Sequence, residues 1–180
     1  MIPQYYEFSN KTKILSGFQA LEKIPFELNE RGKSRPLIIC QRENIDKGTQ
    51  RMLIKAMEGS ELIKGVIFLY RRPIDDECLT QGISEFKSNE CDSIITLGDD
   101  SAFELGNSMR IKLEQERDAN NEITFIAVPT ACSGAEITGD ADIVVTDPKL
   151  ALNLSVRDTV LSALDIICHG VEAYTSARKN

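Results

Sequence analysis

The sequence has little of what a nucleic-acid-binding protein requires. Its 21 Lys and Arg residues are outnumbered by 28 Asp and Glu residues, so the formal net charge is −7. A polyanionic partner requires clustered cations, and the nearest approach to a cluster is the pair Arg71-Arg72, which we interpret as a solvated turn. The charge balance therefore argues against nucleic-acid binding.

Paired cysteines and long apolar segments are also lacking. The five cysteines are an odd number without CxxC spacing, which is typical of reduced, intracellular thiols rather than of a disulfide framework. No apolar stretch approaches the length that spans a bilayer, and the opening residues MIPQYYEFSNKTK contain no apolar signal segment. We therefore expect a cytoplasmic protein with no membrane partner.

An apolar fraction of 42% in 180 residues suits one globular domain, or one domain and the start of another. Short β-branched runs alternate with segments of helical period, a pattern typical of crossover units and a parallel sheet. The predicted strands are 35–40, 65–70, 92–98, 123–129 and 141–147, and the predicted helices are 18–30, 46–58, 76–89 and 101–116. The pattern predicts an α/β fold with helices flanking the sheet.

Such sheets bind ligands beyond the carboxyl ends of their strands. Three turns there contain suitable residues: CQRE (40–43), LGDDSAFELGN (97–107) and VPTACSGAEITG (128–139). The first has Gln41 and Arg42 where a dinucleotide-binding fold often presents an acid to the adenosine ribose. Without that acid, Arg42 could pair with a 2′-phosphate, which tilts the cofactor toward NADP. A solvated turn explains the first stretch equally well, and the small residues of the third can approach a ligand closely.

The second turn leads from a strand into a helix, where phosphates usually meet backbone N–H groups. Gly98 and Ser101 suit that task, whereas Asp99 and Asp100 do not obviously do so. A carboxylate about 6 Å from a phosphate costs on the order of 3 kcal/mol. Asp and Ser are favoured helix N-caps, so the spacing alone favours a capped helix start without a ligand.

The only histidine, His169, lies in LDIICHGVEAYTS (164–176), within a helical pattern from Val156 to Tyr174. Asp165 and His169 are at i and i+4 and project from one face of that helix. This is a usual spacing for two metal ligands, but two ligands make an incomplete site. The alternative is a core histidine hydrogen-bonded to the carboxylate.

Five strings in order resemble the iron-containing (type III) alcohol dehydrogenases. LALNLSVRDTVLSALDIICHGVEAYTS (150–176) is similar to the family's D-x-x-x-H helix with its small-apolar-E-A-Y run. KILSGFQALEKIP resembles the opening strand and turn, and PLIICQRENIDKGT the first nucleotide-binding strand. DSIITLGDDS resembles the strand leading into GGGS, and IAVPTACSGAE the Pro-Thr-Thr loop.

The resemblance implies a Rossmann-like, dehydroquinate synthase-like dinucleotide-binding domain over 1–150, followed at 151–180 by the first helix of an all-helical domain. It implies hydride transfer between NAD or NADP and a small alcohol, aldehyde or ketone, with a divalent metal, iron or zinc, holding the substrate oxygen. The positions carried over are metal ligands Asp165 and His169, pyrophosphate loop Gly98, Asp99, Asp100 and Ser101, nicotinamide-side residues Thr130 and Ser133, and ribose reader Gln41.

Several family features are absent from the sequence. The family completes its metal site with two further histidines, whereas this chain has one histidine in total. Where the family has GGGS, this chain has Gly98, Asp99, Asp100 and Ser101, so two of the three glycines are replaced by aspartates. Asn107 stands where the family usually has a lysine. The stretch between Glu136 and Asp147 is too short for the usual β-hairpin with a cofactor-contacting lysine. We therefore expect a family oxidoreductase whose 180 residues lack turnover alone, and we assign no catalytic residue.

Two alternatives remain from the same residues. The first is a degenerate nucleotide-binding or interaction domain without catalysis, whose exposed cleft face and stranded helix would favour a homo-oligomer or a partner chain. The second is a dehydroquinate synthase-like sugar cyclase, which shares the fold but not this form of the metal helix.

Overall fold

The computed structural model describes residues 10–42, 48–58, 60, 63–116, 122–131, 140–152 and 154–176. Six parallel strands pair in the order β1-β6-β5-β4-β2-β3. They are β1 (Lys13–Ser16), β2 (Pro36–Gln41), β3 (Val66–Tyr70), β4 (Ser93–Gly98), β5 (Thr124–Pro129) and β6 (Ile143–Thr146). The five strands predicted from apolar runs are confirmed to within two residues, and the opening strand, placed by family resemblance, lies at one edge.

Helices cover both faces of this sheet. They are α1 (Ile24–Glu30), α2 (Thr49–Met57), α3 (Asp76–Ser88), α4 (Asp100–Gln115), the short α5 (Pro148–Ala151) and α6 (Val156–Thr175). One core cluster includes Leu37, Ile94 and Phe125 with the inner residues of α3 and α4. Their sequence neighbours Ile38, Ile95 and Ile126 face the other cluster, with α1 and α2. The alternation follows from the two-residue period of a strand and confirms the Rossmann-like α/β architecture.

The helix predicted over 18–30 begins later than expected. Gln19 has a left-handed backbone with φ of 67°, a 3-10 turn spans Ala20–Lys23, and α1 starts only at Ile24. Phe26, an apolar residue of the predicted helix, is 59% exposed. It lies two residues after the buried Ile24, about 200° around the helix, whereas Leu28 lies on the buried face at i+4.

The last helix, α6, has none of its side chains buried in the described part of the chain. It begins at a Ser155 N-cap, whose hydroxyl accepts a hydrogen bond from the N–H of Asp158 at 3.0 Å. Leu161, Leu164 and Val171 are apolar side chains at helical spacing along one side of α6, and all three are exposed. No described helix combines the length and the apolarity that crossing a membrane requires.

α4 packs closely against the sheet at Gly106. A Cβ added to Gly106 would lie 2.3 Å from Thr96 Cγ2 and 3.0 Å from Phe125 Cε2. We expect Gly106→Ala to lower the free energy of unfolding by about 1–3 kcal/mol, because overpacking outweighs the better helix propensity of alanine. Urea denaturation measures this change.

Gly170→Ala is the matched control, because a Cβ there would meet nothing within 4 Å. It makes the same chemical change on an open helix face, so it should not destabilise the protein. Equal stability of Gly106→Ala and the native chain would contradict the close approach of α4.

Candidate functional site

The predicted cofactor residues gather at the carboxyl edge of the central strands. Gln41 ends β2 and Gly98 ends β4, and these neighbouring strands pair Cys40 with Leu97 just before that edge. Thr130 follows β5, and its N–H donates to the carbonyl of Gly98 at 2.8 Å. From the adjacent strands β2 and β4 the chain continues in opposite directions along the sheet, to β3 on one side and to β5 on the other. Open α/β sheets bind ligands in the crevice that such a reversal of strand order creates. Ser133 lies outside the described residues.

Asp99 is the N-cap of α4. Its Oδ1 accepts hydrogen bonds from the backbone N–H of Ser101 at 3.2 Å and from the Ser101 hydroxyl at 2.6 Å. Its backbone carbonyl accepts from the N–H groups of Ala102 at 3.0 Å and Phe103 at 3.3 Å. The turn is therefore the capped helix start that the spacing favours, and three N–H groups of the first turn bond within the chain.

Arg72 also contacts this loop. It lies in an exposed turn after β3, as predicted, but its half-exposed side chain is paired with Asp99. Its Nη2 donates to Asp99 Oδ2 and, at 2.8 Å, to the Ser101 hydroxyl, and its Nε lies 3.1 Å from the same oxygen. Tyr70 OH lies 2.8 Å from the Ser101 hydroxyl. Arg72 follows β3, which β2 separates from β4. The only sequence signal was the opposite charge of two turns at the same sheet edge.

These contacts determine the charge of each group. Burial pushes the pKa of Asp99 upward, but hydrogen bonds from Ser101 and Arg72 outweigh burial and hold this pKa below its ordinary value. Burial raises the pKa of Tyr70. Asp99 is therefore a carboxylate at neutral pH, and Tyr70 is a neutral phenol. Because the Ser101 proton points to Asp99, the phenol donates to Ser101.

The loop as it lies does not fit a pyrophosphate. The cavity lined by Gly98, Asp99, Asp100 and their neighbours from β5 has a volume of about 10 Å³, which is room for about one water molecule. A Cβ on Gly98 would lie 2.9 Å from the Cβ of Ala102. The absence of a side chain at Gly98 therefore allows the end of β4 to lie close to the first turn of α4. The Asp99 side chain lies at the start of that helix.

The predicted metal ligands lie together on α6. Asp165 Oδ1 and His169 Nε2 are 4.0 Å apart, with the two side chains 49% and 57% exposed. His169 is thus not the core residue of the alternative interpretation. Within the described ranges, no group of three or more His, Cys, Asp or Glu side chains could hold a metal ion. The pair fits part of a metal site through one carboxylate and one imidazole, both ligands of iron and zinc.

Comparison with known proteins gives one family match. The model of the family described as "Iron-containing alcohol dehydrogenase" matches residues 11–169. The chain is 22% identical to the 4-hydroxybutyrate dehydrogenase of Cupriavidus necator over 204 positions, which cover 94% of this chain and 53% of that protein. The chain therefore spans about half the length of the curated relative it matches.

Solved structures show the same fold. The alcohol dehydrogenase from Oenococcus oeni superimposes with a TM-score of 0.82 and 18% identity, over 98% of this chain and 55% of that one. The sulfoacetaldehyde reductase from Bifidobacterium kashiwanohense, solved in complex with NAD+, gives 0.79 and 16% identity, over 97% and 54%. At these identities the likeness establishes the architecture alone.

The contact between Asp99 and Arg72 predicts a pH dependence of stability. A carboxyl whose folded-state pKa is lowered stabilises the protein above its unfolded pKa of about 3.9, and this stabilisation is lost as the pH falls through the folded value. Asp99→Asn keeps a good N-cap but loses the ion pair. We expect this variant to be about 0.2–1 kcal/mol less stable than the native chain at pH 7.

The difference should shrink once the pH falls below about 4 and disappear below the lowered folded-state pKa of Asp99. Urea unfolding from pH 7 to pH 2 measures it, and Arg72→Gln completes a double-mutant cycle at neutral pH. Additive effects of the two substitutions, or a difference that persists in acid, would contradict the paired geometry.

Proposed function

The chain belongs to the iron-containing alcohol dehydrogenase family, and on that premise we propose that the protein is a metal-dependent oxidoreductase. It interconverts a small alcohol and its aldehyde or ketone with NAD or NADP as the hydride carrier. The observation that supports this most is the family match over 11–169, because that range contains the carboxyl-edge turns and the helix with Asp165 and His169. The named relatives are likewise dehydrogenases and reductases.

We assign residues 1–150 to a dinucleotide-binding domain and 151–180 to the first helix of a helical domain. In support, the sheet and the helices that cover it are complete by α5, and α6 contributes no buried side chain. An apolar helix face of this kind requires a partner. A second copy of the chain or a separate helical chain would bury it, and five cysteines without CxxC spacing favour the cytoplasm.

Asp165 and His169 are the proposed metal ligands of this chain. A divalent metal, iron or zinc, would supply Lewis-acid chemistry at a substrate oxygen. The carboxylate of Asp165 contributes negative charge and the imidazole of His169 a neutral nitrogen, from one face of α6. Further ligands are required for a closed coordination sphere, and the sequence has no second histidine to provide one.

The cofactor residues are proposals of the same kind. Gln41, with Arg42 beside it, would contact the adenosine ribose, and the absence of an acid there favours NADP. Thr130 and Ser133 would lie beside the nicotinamide, and the loop of Gly98, Asp99, Asp100 and Ser101 would lie beside the pyrophosphate. A pyrophosphate there would have to displace the Asp99 carboxylate, which accepts from the Ser101 N–H and from Arg72.

A second candidate is a nucleotide-binding or interaction domain without catalysis. The observation that favours it is the same loop, in which a carboxylate takes the donors that a phosphate would use. The incomplete metal pair is consistent with it as well. Metal binding at His169 separates the two candidates, because only the oxidoreductase requires that site.

The single histidine makes this test direct, because its imidazole protons give one set of NMR signals. We expect Zn²⁺ to shift these signals with weak affinity. Asp165→Ala should weaken binding at least about tenfold, or about 1.4 kcal/mol, because the second ligand is lost.

Asp158→Ala is the matched control, since it removes the same charge from α6 about 10 Å away along the helix. Its zinc affinity should equal that of the native chain. Signals that do not move with Zn²⁺, or an equal loss in the control, would favour the domain without catalysis.

The purified 180-residue chain should not reduce small aldehydes with NADH or NADPH, even with added Fe²⁺ or Zn²⁺. The reason is that Asp165 and His169 supply only part of a metal site. Absorbance of the reduced cofactor measures turnover, and metal-dependent turnover would show that these residues suffice.

A further inference from the structure

The loop between β4 and α4 already contains an anion in the place where a ligand anion would lie. Asp99 Oδ1 accepts from the Ser101 backbone N–H and hydroxyl, and Oδ2 accepts from the guanidinium of Arg72. A helix-terminal N–H, a hydroxyl and an arginine are the donors with which proteins bind phosphate groups. The chain thus satisfies with its own carboxylate the donors that a pyrophosphate would use.

This carboxylate is held by groups from a strand that is not adjacent to β4. The Tyr70 ring is 2% exposed at the end of β3, and its hydroxyl donates to Ser101 Oγ at 2.8 Å. Arg72 donates to the same oxygen and to Asp99. Ser101 Oγ therefore gives its proton to Asp99 and accepts from both neighbours, which uses its whole hydrogen-bonding capacity. Moving Asp99 away breaks two hydrogen bonds and an ion pair at once.

We propose that Asp99 is a latch whose carboxylate closes the pyrophosphate position of this chain, with Arg72 holding it closed. The inference rests on the proposed function, because the ligand that the latch excludes is the pyrophosphate of the proposed nicotinamide dinucleotide. A dinucleotide binds only to the fraction of molecules in which Asp99 has left the Ser101 N–H. Its apparent dissociation constant is raised by the inverse of that fraction.

Asp99→Gly opens the latch, because it removes the carboxylate and leaves the backbone N–H of Ser101 available. The probes are NADH and NADPH, whose fluorescence can be followed without interference because the chain contains no tryptophan. We expect Asp99→Gly to bind at least one of them at least tenfold more tightly than the native chain does. Inorganic pyrophosphate, followed by calorimetry, should show the same order of affinity if the phosphates are the group excluded.

Asp75→Gly is the matched control. Asp75 caps α3 as Asp99 caps α4, accepting from the N–H of Cys78 at 2.8 Å, so the two variants lose the same charge and the same kind of cap. The control should bind both dinucleotides as the native chain does. Equal tightening in both variants would overturn the latch, because a general loss of negative charge would then explain the effect.

An Asp99→Gly chain that binds no more tightly than the native chain also overturns the latch. If the native and Asp99→Gly chains both bind a dinucleotide tightly, the cofactor part of the proposed function stands. If neither chain binds one, the cofactor part is wrong too. Zinc binding at His169 tests the metal part separately. Asp99→Ala covers the case in which the glycine variant does not fold, because alanine also frees the Ser101 N–H but costs less backbone entropy than glycine. Tighter dinucleotide binding by Asp99→Ala supports the latch, and unchanged binding overturns it.

Discussion

Burial of β4 between two layers of helices is the constraint on which the rest of the structure depends. All six of its residues are buried, and Gly106 lets α4 pack directly against Thr96 and Phe125. The strand and the helix are joined by one tight turn, so their packing fixes where the N-terminus of α4 lies. Asp99 must then lie at that N-terminus, within reach of Arg72. A packing requirement in the core thus determines the electrostatics of the crevice.

The sequence predicted the parts of the fold that depend on local pattern. Buried parallel strands such as β2 and β4 are continuous apolar runs in the sequence. Asp165 and His169 are four residues apart, so the helical period predicted that they lie on one face of α6. The start of α1 was wrong because a 3-10 turn precedes it. The role of Arg72 was missed because its partner Asp99 lies 27 residues away, after β4, which is not adjacent to β3. Such a contact is set by strand order, which local pattern does not encode.

Two of the places where the sequence departs from the family are the turn between β4 and α4 and the set of metal ligands. A glycine-rich turn exposes backbone N–H groups to a ligand, whereas the aspartate of this chain supplies the anion itself. The proposed metal ligands Asp165 and His169 lie on one face of α6, and no third His, Cys, Asp or Glu joins them among the described residues. The family match establishes the family and the six-stranded parallel sheet establishes the fold. The proposed activity requires that the loop open and that further ligands complete the metal site.

Asp99 occupies the N-terminus of α4 as a carboxylate held by Arg72. The backbone N–H of Ser101 reports on this contact directly, because it donates to Asp99 Oδ1. NMR of this amide proton from pH 7 to pH 2 should show a titration with a midpoint below the ordinary carboxyl value of about 3.9. An amide proton that does not respond to pH, or that titrates at or above that value, would contradict the account.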